Sequence, residues 1–368
     1  MIQRIFRISN YAKLKSLKHS IRYFPKDAVS NFRKVPNEIG EQPFNQIINM
    51  PNISFIVPLY NQDKFIIPCL NSIINAGMPE NTFEIIVWND GSTDKSEEMT
   101  SDYMQSKPNI ILYTQPNHGV SYSRNQALLR ATGKYVWFVD SDDLVKSSEV
   151  QNLLNTALAH DLDMIAFNWE SLLPDGRIEP GIHKISDAEP QSGRLVYINN
   201  MITMAPWAFL YKRQFLLKYN LTFPENYKTC EDIQFNQKAL FLAEKVELSS
   251  EVGYVYRHQH QSATKGRGNR VVEDQIRRMK EEIEWFSGKN DLTFLQTIVY
   301  RNLREINVWL AWADCSTQWF DEIKNVLEGY EVNNRVNFQA MFIILMKYCP
   351  KLVFYTQRWL NKIRRKIS

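Results

Sequence analysis

The chain has 368 residues, 44% hydrophobic and 23% charged, which is enough apolar material for one large domain or two modest ones and too much for a disordered chain. Its four cysteines, Cys69, Cys230, Cys315 and Cys349, lie far apart with no CxxC pair, which argues against a disulfide framework or a structural zinc site and fits a reducing compartment. The net charge of +4 conceals basic ends: residues 1–35 carry nine Lys/Arg against Asp27 alone, residues 347–368 carry seven and no acid, and residues 36–346 are left with −11. Such ends point to an anionic partner, with solvated tails as the plain alternative. No early apolar stretch leads to a small-residue cleavage site, so no secretory signal is expected. No run of about 18 apolar residues predicts a membrane span; the best candidate, Ala340–Met346, ends at Lys347.

Residues 1–50 read as a basic extension, and from about residue 52 strand and helix patterns alternate. Ile53–Val57 is a β-branched run that predicts a buried strand stopped by Pro58. Asp63 is placed to cap a helix with Ile66, Leu70, Ile73 and Ile74 on one face, ending at Gly77, and Pro68 predicts a kink in it. Glu84–Trp88 is the second strand, followed by the turn Asn89–Ser92 and a helix capped by Ser92 or Asp94. Ile110–Tyr113 is the third strand, and Ser121 caps a helix through Ala131 that Gly133 ends. Tyr135–Val139 is the most hydrophobic strand and runs into Asp140-Ser141-Asp142-Asp143. Ser147 then caps a helix with Val150, Leu153, Leu154, Ala157 and Leu158 on one stripe, and Asp163–Phe167 is a further strand. This alternation predicts right-handed crossovers and a mostly parallel sheet, with ligands beyond the carboxyl ends of its strands.

After Trp169 the alternation loosens. Pro174-Asp175-Gly176 signals a hairpin, residues 181–194 a long loop, Glu231 a helix start and Val252–Tyr256 a strand. From about 270 the chain reads as helical, with stripes at Val272, Ile276, Met279, Ile283 and Phe286, then at Leu295, Val299, Leu303, Ile306 and Leu310. The expected organisation is a basic extension at 1–50, an α/β domain at 51–268 and a helical region with a basic tail at 269–368.

The strongest chemical signal is the acidic cluster. Asp140, Asp142 and Asp143 crowded at the end of a buried strand repel one another, and a hard divalent cation removes that penalty. Oxygen ligands select magnesium or manganese, with waters and substrate phosphates completing the shell. Strand alternation predicts that Asp140 and Asp142 point the same way; the alternative is a solvated loop before the next helix. Tyr60, after the first strand, is placed to stack on a base, and Asp90 to accept a hydrogen bond from a pyrimidine N–H. Arg124, on a helix just past Asn117-His118-Gly119, reads either as facing a nucleotide or as a surface arginine. Thr229-x-x-Asp232 reads as a capping box, and alternatively Asp232 is a general base kept ionised by the helix N-terminus. Tyr256-Arg257-His258-Gln259-His260 reads as a polar loop reaching phosphates or an acceptor, since no third ligand follows the two histidines at zinc-site spacing.

Four ordered motifs resemble the family 2 glycosyltransferases, inverting enzymes of the GT-A fold. They are Ser54-Phe55-Ile56-Val57-Pro58-Leu59-Tyr60-Asn61, Asn89-Asp90-Gly91-Ser92-Thr93-Asp94, Gly119-Val120-Ser121-Tyr122-Ser123-Arg124-Asn125, and Gly133 through Asp143. Pro206-Trp207-Ala208, Tyr211-Lys212 and Glu231-Asp232 also look like that family, and the resemblance spans about residues 52–265. It implies that Pro58, Tyr60 and Asp90 contact the donor base, that Arg124 lies near the nucleotide, and that Asp140 holds the ribose or the metal shell. It further implies that Asp142 binds the metal bridging the diphosphate and that Asp232 is the base. Asp143, Glu231, Trp207, His258 and His260 are further candidates. Asn89 stands where many members have Asp, and Tyr122 where many have a small residue; the second is placed to narrow the nucleotide pocket.

The resulting expectation is an inverting, manganese- or magnesium-dependent transfer from a nucleotide-diphosphate sugar, a UDP-sugar by preference, to a hydroxyl of a carbohydrate or lipid-linked acceptor in cell-surface polysaccharide or glycoconjugate synthesis. A nucleotidyltransferase is the alternative enzyme, but Pro58–Lys64 lacks the Gly-rich basic loop it needs. An inactive sugar-binding subunit of a polysaccharide-assembly complex is the non-enzymatic alternative, and the intact acidic cluster argues against it. The basic ends, with Leu352, Phe354, Tyr355, Trp359, Leu360 and Ile363 interleaved near the second, predict a cytoplasmic protein docked peripherally on the anionic inner face of the cell membrane. Nucleic acid is not an expected partner, because no recognition motif accompanies the charge.

Overall fold

The β-branched runs become strands of one sheet. The structure is a computed structural model that describes residues 50–181, 185–258, 268–312, 318–332 and 338–355. Its strands are β1 (Ile53–Leu59), β2 (Phe83–Asn89), β3 (Ile110–Thr114), β4 (Tyr135–Phe138), β5 (Leu144–Val145), β6 (Met164–Leu172), β7 (Ile178–Pro180), β8 (Ala188–Gln191), β9 (Phe209–Lys212) and β10 (Val246–Arg257). They lie in the order β3-β2-β1-β4-β9-β6-β10-β5, with β7 on β6 and β8 on β10. The long ladders β1–β2, β2–β3 and β6–β10 are parallel, as is β1–β4, whereas β9 runs antiparallel between β4 and β6. The strand order reverses between β1 and β4, the kind of switch point beyond whose strand ends such sheets place their ligands.

Every residue of β1 is buried, because helices cover both faces of this strand. The crossover helices are α1 (Ile66–Ile74), α2 (Ser96–Met104), α3 (Val120–Arg130) and α4 (Val150–His160). Then come α5 (Gly193–Asn199), α6 (Arg213–Lys218) and α7 (Glu231–Leu242). Trp137 stacks on Phe55 at 5.7 Å, and Phe223 stacks on Phe235 at 3.9 Å beneath Phe138. Gly133 lets the approach to β4 pass against β1: a Cβ there would stand 2.5 Å from the Ser54 nitrogen, while the Gly133 N–H donates to Ser54 Oγ.

Several local expectations change. Pro58 does not stop β1; the ladder to β4 ends at Ile56, so on that side Pro58 has no bond to lose. Pro68 sits in the first turn of α1, where a backbone N–H has no intrahelical partner, so its ring fits without breaking the ladder. Asp63 does not cap α1; its own N–H donates to Asp94 Oδ2 at 3.0 Å. Of the two caps expected for α2, Asp94 accepts the Ser96 N–H at 2.9 Å. Ser121 lies inside α3, and Ser147 donates to the Ser72 carbonyl instead of capping α4. Residues 181–194 are not one loop, since they contain β8 and the start of α5. The hairpin at Pro174-Asp175-Gly176 forms, joining β6 to β7 with Gly176 at φ 85°.

The C-terminal stripes fold as expected into α8 (Gly268–Ser287), α9 (Leu292–Trp312), α10 (Gln318–Glu328) and α11 (Phe338–Tyr348), and no helix among the described residues is long and apolar enough to cross a membrane. The apolar face of α9 (Leu295, Val299, Leu303, Ile306, Leu310) is buried, and Phe286 and Phe294 close on Phe241 of α7. Between α8 and α9 lies an ionic knot, buried at Arg278 and Glu282. Fully buried Arg278 reaches Glu282 at 3.4 Å and Glu305 at 3.2 Å, and Asn302 donates to Glu282. Burial pushes Glu282 up to about 7 although Arg278 and Asn302 oppose it.

Removing one member of such a group leaves the other charges stranded. Arg278→Ala is therefore expected to lower unfolding stability by about 3–5 kcal/mol in a denaturant titration, far more than Arg177→Ala, whose ion pairs lie at the surface.

Candidate active site

Beyond the strand ends at the switch point, the loops hold one another in place. Asn61, at φ 52°, donates its N–H to Ser92 Oγ, and its side-chain oxygen accepts the Thr93 N–H at 2.7 Å and the Asp94 N–H at 3.3 Å. The loops after β1 and β2 are thereby stitched together. Tyr60, at their mouth, is 47% exposed. Asn89 Oδ1 accepts the Ser92 N–H, and Asn89 Nδ2 donates to Glu97 at 2.9 Å.

Asp90 is buried. Its Oδ1 accepts from Gln115 and the His118 N–H, its Oδ2 accepts the Gly119 N–H, and its carbonyl accepts from Asn117. A carboxylate offers about four acceptor sites, so one remains for a ligand N–H. Gly91, at φ 74°, lets residues 115–117 pass above it: a Cβ would stand 3.0 Å from the Asn117 nitrogen.

Asp90 thus fixes the start of α3, and α3 carries Arg124 inward. Arg124 is not a surface residue. Its side chain is 6% exposed, one guanidinium nitrogen reaches Asp140 Oδ1 at 2.8 Å and another reaches Glu231 Oε1 at 3.2 Å. The guanidinium stands 5.2 Å from the centre of the Phe223 ring, in a segment pinned by Asn125 through Phe223 and Glu225. Burial opposes its charge, but Asp140 and Glu231 outweigh burial and hold the proton more firmly than usual.

The acidic cluster is a turn rather than a strand end, so alternation does not set its directions. β4 stops at Phe138, and the Asp143 N–H closes on the Asp140 carbonyl at 3.0 Å. The Tyr254 hydroxyl accepts the Asp140 N–H and donates to Asp143 Oδ2, while the Arg257 N–H donates to Asp143 Oδ1. Asp143 is therefore a structural member of the turn. Burial, followed by Asp142 and Asp140, holds its carboxyl well above the usual range. Asp142 is pushed up to about 6 by burial and by Asp140, against Arg257 and Arg124. Among the described residues no three His, Cys, Asp or Glu side chains form a metal cage. Asp140 and Asp142 supply an oxygen-only pair that suits magnesium or manganese with phosphate and water as the other ligands, and a cation relieves the repulsion that raises Asp142.

Glu231 and Asp232 open α7, but no capping box forms. The helix starts after Cys230 at φ 67°, and Thr229 donates to Asp274 of α8 instead. Asp232 accepts the Ile233 N–H at 2.8 Å. It is not kept ionised by its helix end: burial, then Glu231, push it up to about 7, only partly opposed by Arg124. It opens onto a cavity of about 470 Å³.

The structure brings Arg124, Asp140, Asp142, Asp143, Glu231 and Asp232 into one electrostatic group, with Pro58, Tyr60 and Asp90 on the neighbouring strand ends. Pro58 is buried within β1. Trp207 is buried and stacked on Tyr254 at 4.6 Å, a wall behind the turn. His258 is exposed and hydrogen-bonds Ser171, apart from that group; His260 lies outside the described residues. Tyr254 was not singled out in the sequence, and Tyr256 and Arg257, read there as part of a polar loop, instead end strand β10. Arg257 also stands over the Phe65 ring at 5.2 Å, and its place beside the acidic turn comes only from the pairing of β10 with β5 and β6.

Residues 54–219 match the family model described as glycosyl transferase family 2. This segment belongs to that family. The chain is 32% identical over 220 residues to the uncharacterized glycosyltransferase EpsJ of Bacillus subtilis, covering 58% of this chain and 63% of EpsJ. It is 31% identical over 208 residues to the poly(ribitol-phosphate) beta-glucosyltransferase of Bacillus spizizenii, covering 55% and 32%. The chain thus spans less than two thirds of either relative. The structure of S. aureus TarS 1–349 in complex with UDP-GlcNAc superposes with a TM-score of 0.68 at 22% identity, covering 86% of this chain and 92% of that one. The likeness establishes the expected GT-A fold with its helical C-terminal region. Asp232 lies beyond the segment matched by the family model.

Because the folded protein holds a proton on Asp232 up to about pH 7 and the unfolded chain releases it near 4, the charge weakens the fold only as pH rises through that window. Asp232→Asn is expected to raise the melting temperature relative to wild type at pH 8 and to leave it nearly unchanged at pH 4, by paired calorimetric scans.

Proposed function

We propose that this chain transfers a sugar from a UDP-sugar to an acceptor hydroxyl with inversion at the anomeric carbon, in the synthesis of a cell-surface polysaccharide or glycoconjugate. The Arg124 bridge carries the reading. One guanidinium reaches Asp140, in the turn suited to a cation and a diphosphate, and Glu231, beside a carboxyl able to take a proton near neutral pH. Donor chemistry and base chemistry meet at the two terminal nitrogens of one guanidinium. The fold of TarS, solved with UDP-GlcNAc, supports a nucleotide-sugar donor.

In this reading Tyr60 stacks on the base and Asp90 offers it the remaining acceptor site, while Pro58 shapes the strand end that carries Tyr60. Asp140 and Asp142 would hold magnesium or manganese, which when bound would neutralise charge growing on the departing diphosphate. Asp232 accepts the proton of the acceptor hydroxyl as that oxygen attacks the anomeric carbon. Its raised affinity for protons makes it a stronger base than an ordinary aspartate, at the cost of losing the active form below neutral pH.

Asp232→Asn is expected to cut turnover by about 10²–10⁴-fold or more while sparing UDP-sugar binding by calorimetry. Asp142→Asn is expected to abolish turnover and weaken that binding. Near wild-type turnover in Asp232→Asn overturns the base assignment. The transfer rate is expected to climb about tenfold per pH unit below 7 and flatten above it, because only the deprotonated carboxylate accepts a proton.

We also propose that the protein docks on the anionic inner face of the cell membrane. Phe338, Met341, Leu345, Tyr348, Leu352 and Tyr355 are exposed, spaced alternately by three and four residues along α11 and the helical residues 350–355 that follow. No acid follows Glu331, against eight Lys and Arg. Apolar insertion and attraction to anionic headgroups then act together in this part of the chain. Co-sedimentation is expected with phosphatidylserine vesicles but not with neutral vesicles, and is expected to be lost in Leu345→Asp/Tyr348→Asp. Binding unchanged by those substitutions sinks this reading.

A further inference from the structure

The cavity onto which Asp232 opens contains none of Tyr60, Asp90, Asp140 or Asp142. Of the acidic and arginine group around Arg124, it is lined by Asp232 alone. One wall is the start of α7 with Asp232 and Ile233, another is the segment carrying Thr203 and Met204, and the third is a single face of α9. On that face Arg301, Arg304, Glu305, Val308 and Trp309 stand at i, i+3, i+4, i+7 and i+8, while the opposite face is packed into the core. A volume of about 470 Å³ is in the range of sites for small ligands and admits a sugar-sized molecule.

The charges on the α9 wall are not balanced. Glu305 is engaged by buried Arg278 at 3.2 Å. Arg301 lies 4.2 Å over the Tyr197 ring and spends one N–H on the Asn200 carbonyl, leaving further donors of its fork. Arg304 is exposed, and among the described residues no carboxylate lies within ion-pair distance of it. Trp309, half-buried beside it, offers an aromatic surface of the kind that packs against a sugar ring.

We infer that this cavity is the acceptor site and that it takes a sugar or polyol carrying an anionic group, phosphate or carboxylate, held by Arg304 and Arg301 while a neighbouring hydroxyl meets Asp232. The word acceptor rests on the function proposed above; the binding site and its charge preference do not. No bond changes beyond the transfer already described: the acceptor O–H proton passes to Asp232, the oxygen joins the anomeric carbon, and the nucleoside diphosphate departs with the bonding pair.

The test uses the full chain and saturation-transfer NMR with glucose 6-phosphate, glucuronate and glucose, without donor, alongside UDP titration of the same samples. The charged sugars are expected to bind about tenfold or more tightly than glucose, with whichever of phosphate or carboxylate binds tighter naming the group. Arg304→Ala, at an exposed position, is expected to erase that preference. Val308→Trp, which fills the cavity from an exposed helix position, is expected to abolish binding of all three. UDP binding is expected to stay unchanged in both variants. Glucose binding as tightly as its charged relatives overturns the proposal, as does charged-sugar binding that survives both substitutions. Failure of UDP to bind wild type overturns the donor reading instead and leaves the cavity result standing.

Discussion

Arg124 keeps a permanent positive charge where water scarcely reaches, and two carboxylates from distant parts of the chain must come to it. A buried guanidinium with one partner missing is costly, so Asp140, Glu231 and Phe223 are drawn to it together. The acidic turn after β4 and the start of α7 are set relative to each other by that requirement. It also tempers Asp232, whose proton affinity burial and Glu231 raise and Arg124 restrains. Geometry and base strength therefore share one origin, and the helix dipole on which the sequence reading relied is a weaker influence than desolvation at this depth.

The strands and crossovers were legible because β-branched runs between amphipathic helices have few other ways to bury themselves. Ile53–Val57 and Tyr135–Val139 illustrate this, with boundaries moved by only a residue or two. Helix caps were less legible. Asp63, Ser121 and Ser147 have the right chemistry for caps, yet their polar groups are claimed by residues remote in sequence or stand within a helix. The acidic turn stood out by composition, but its roles divide only in three dimensions: Asp143 is taken by Tyr254 and the Arg257 backbone, which lie 111 and 114 residues away. The Arg124–Glu231 pair spans 107 residues and left no local trace. Of the late histidines, read in the sequence as part of a polar loop, His258 hydrogen-bonds Ser171.

The C-terminal helices lie beyond the span of the sequence resemblance, and one of them, α9, lines the cavity on which Asp232 opens. α8 ties down the segment before α7 through Asp274, and α9 presents an apolar face to the core and a cationic one to the cavity. A helix used on both faces joins stability to recognition: the turns that bury Leu303 and Ile306 also aim Arg304 and Val308.

Asn89 has a consequence for how such sequences drift. Its amide donates to Glu97 while its oxygen holds the Ser92 N–H. An aspartate at position 89, common in the family this segment resembles, keeps the acceptor but brings a second anion against Glu97. The two sites are a linked pair, and a lineage that changes one is under pressure to change the other. Across homologues, an acid at the first position should travel with a neutral or basic residue at the second, a covariance written by a single proton-bearing nitrogen.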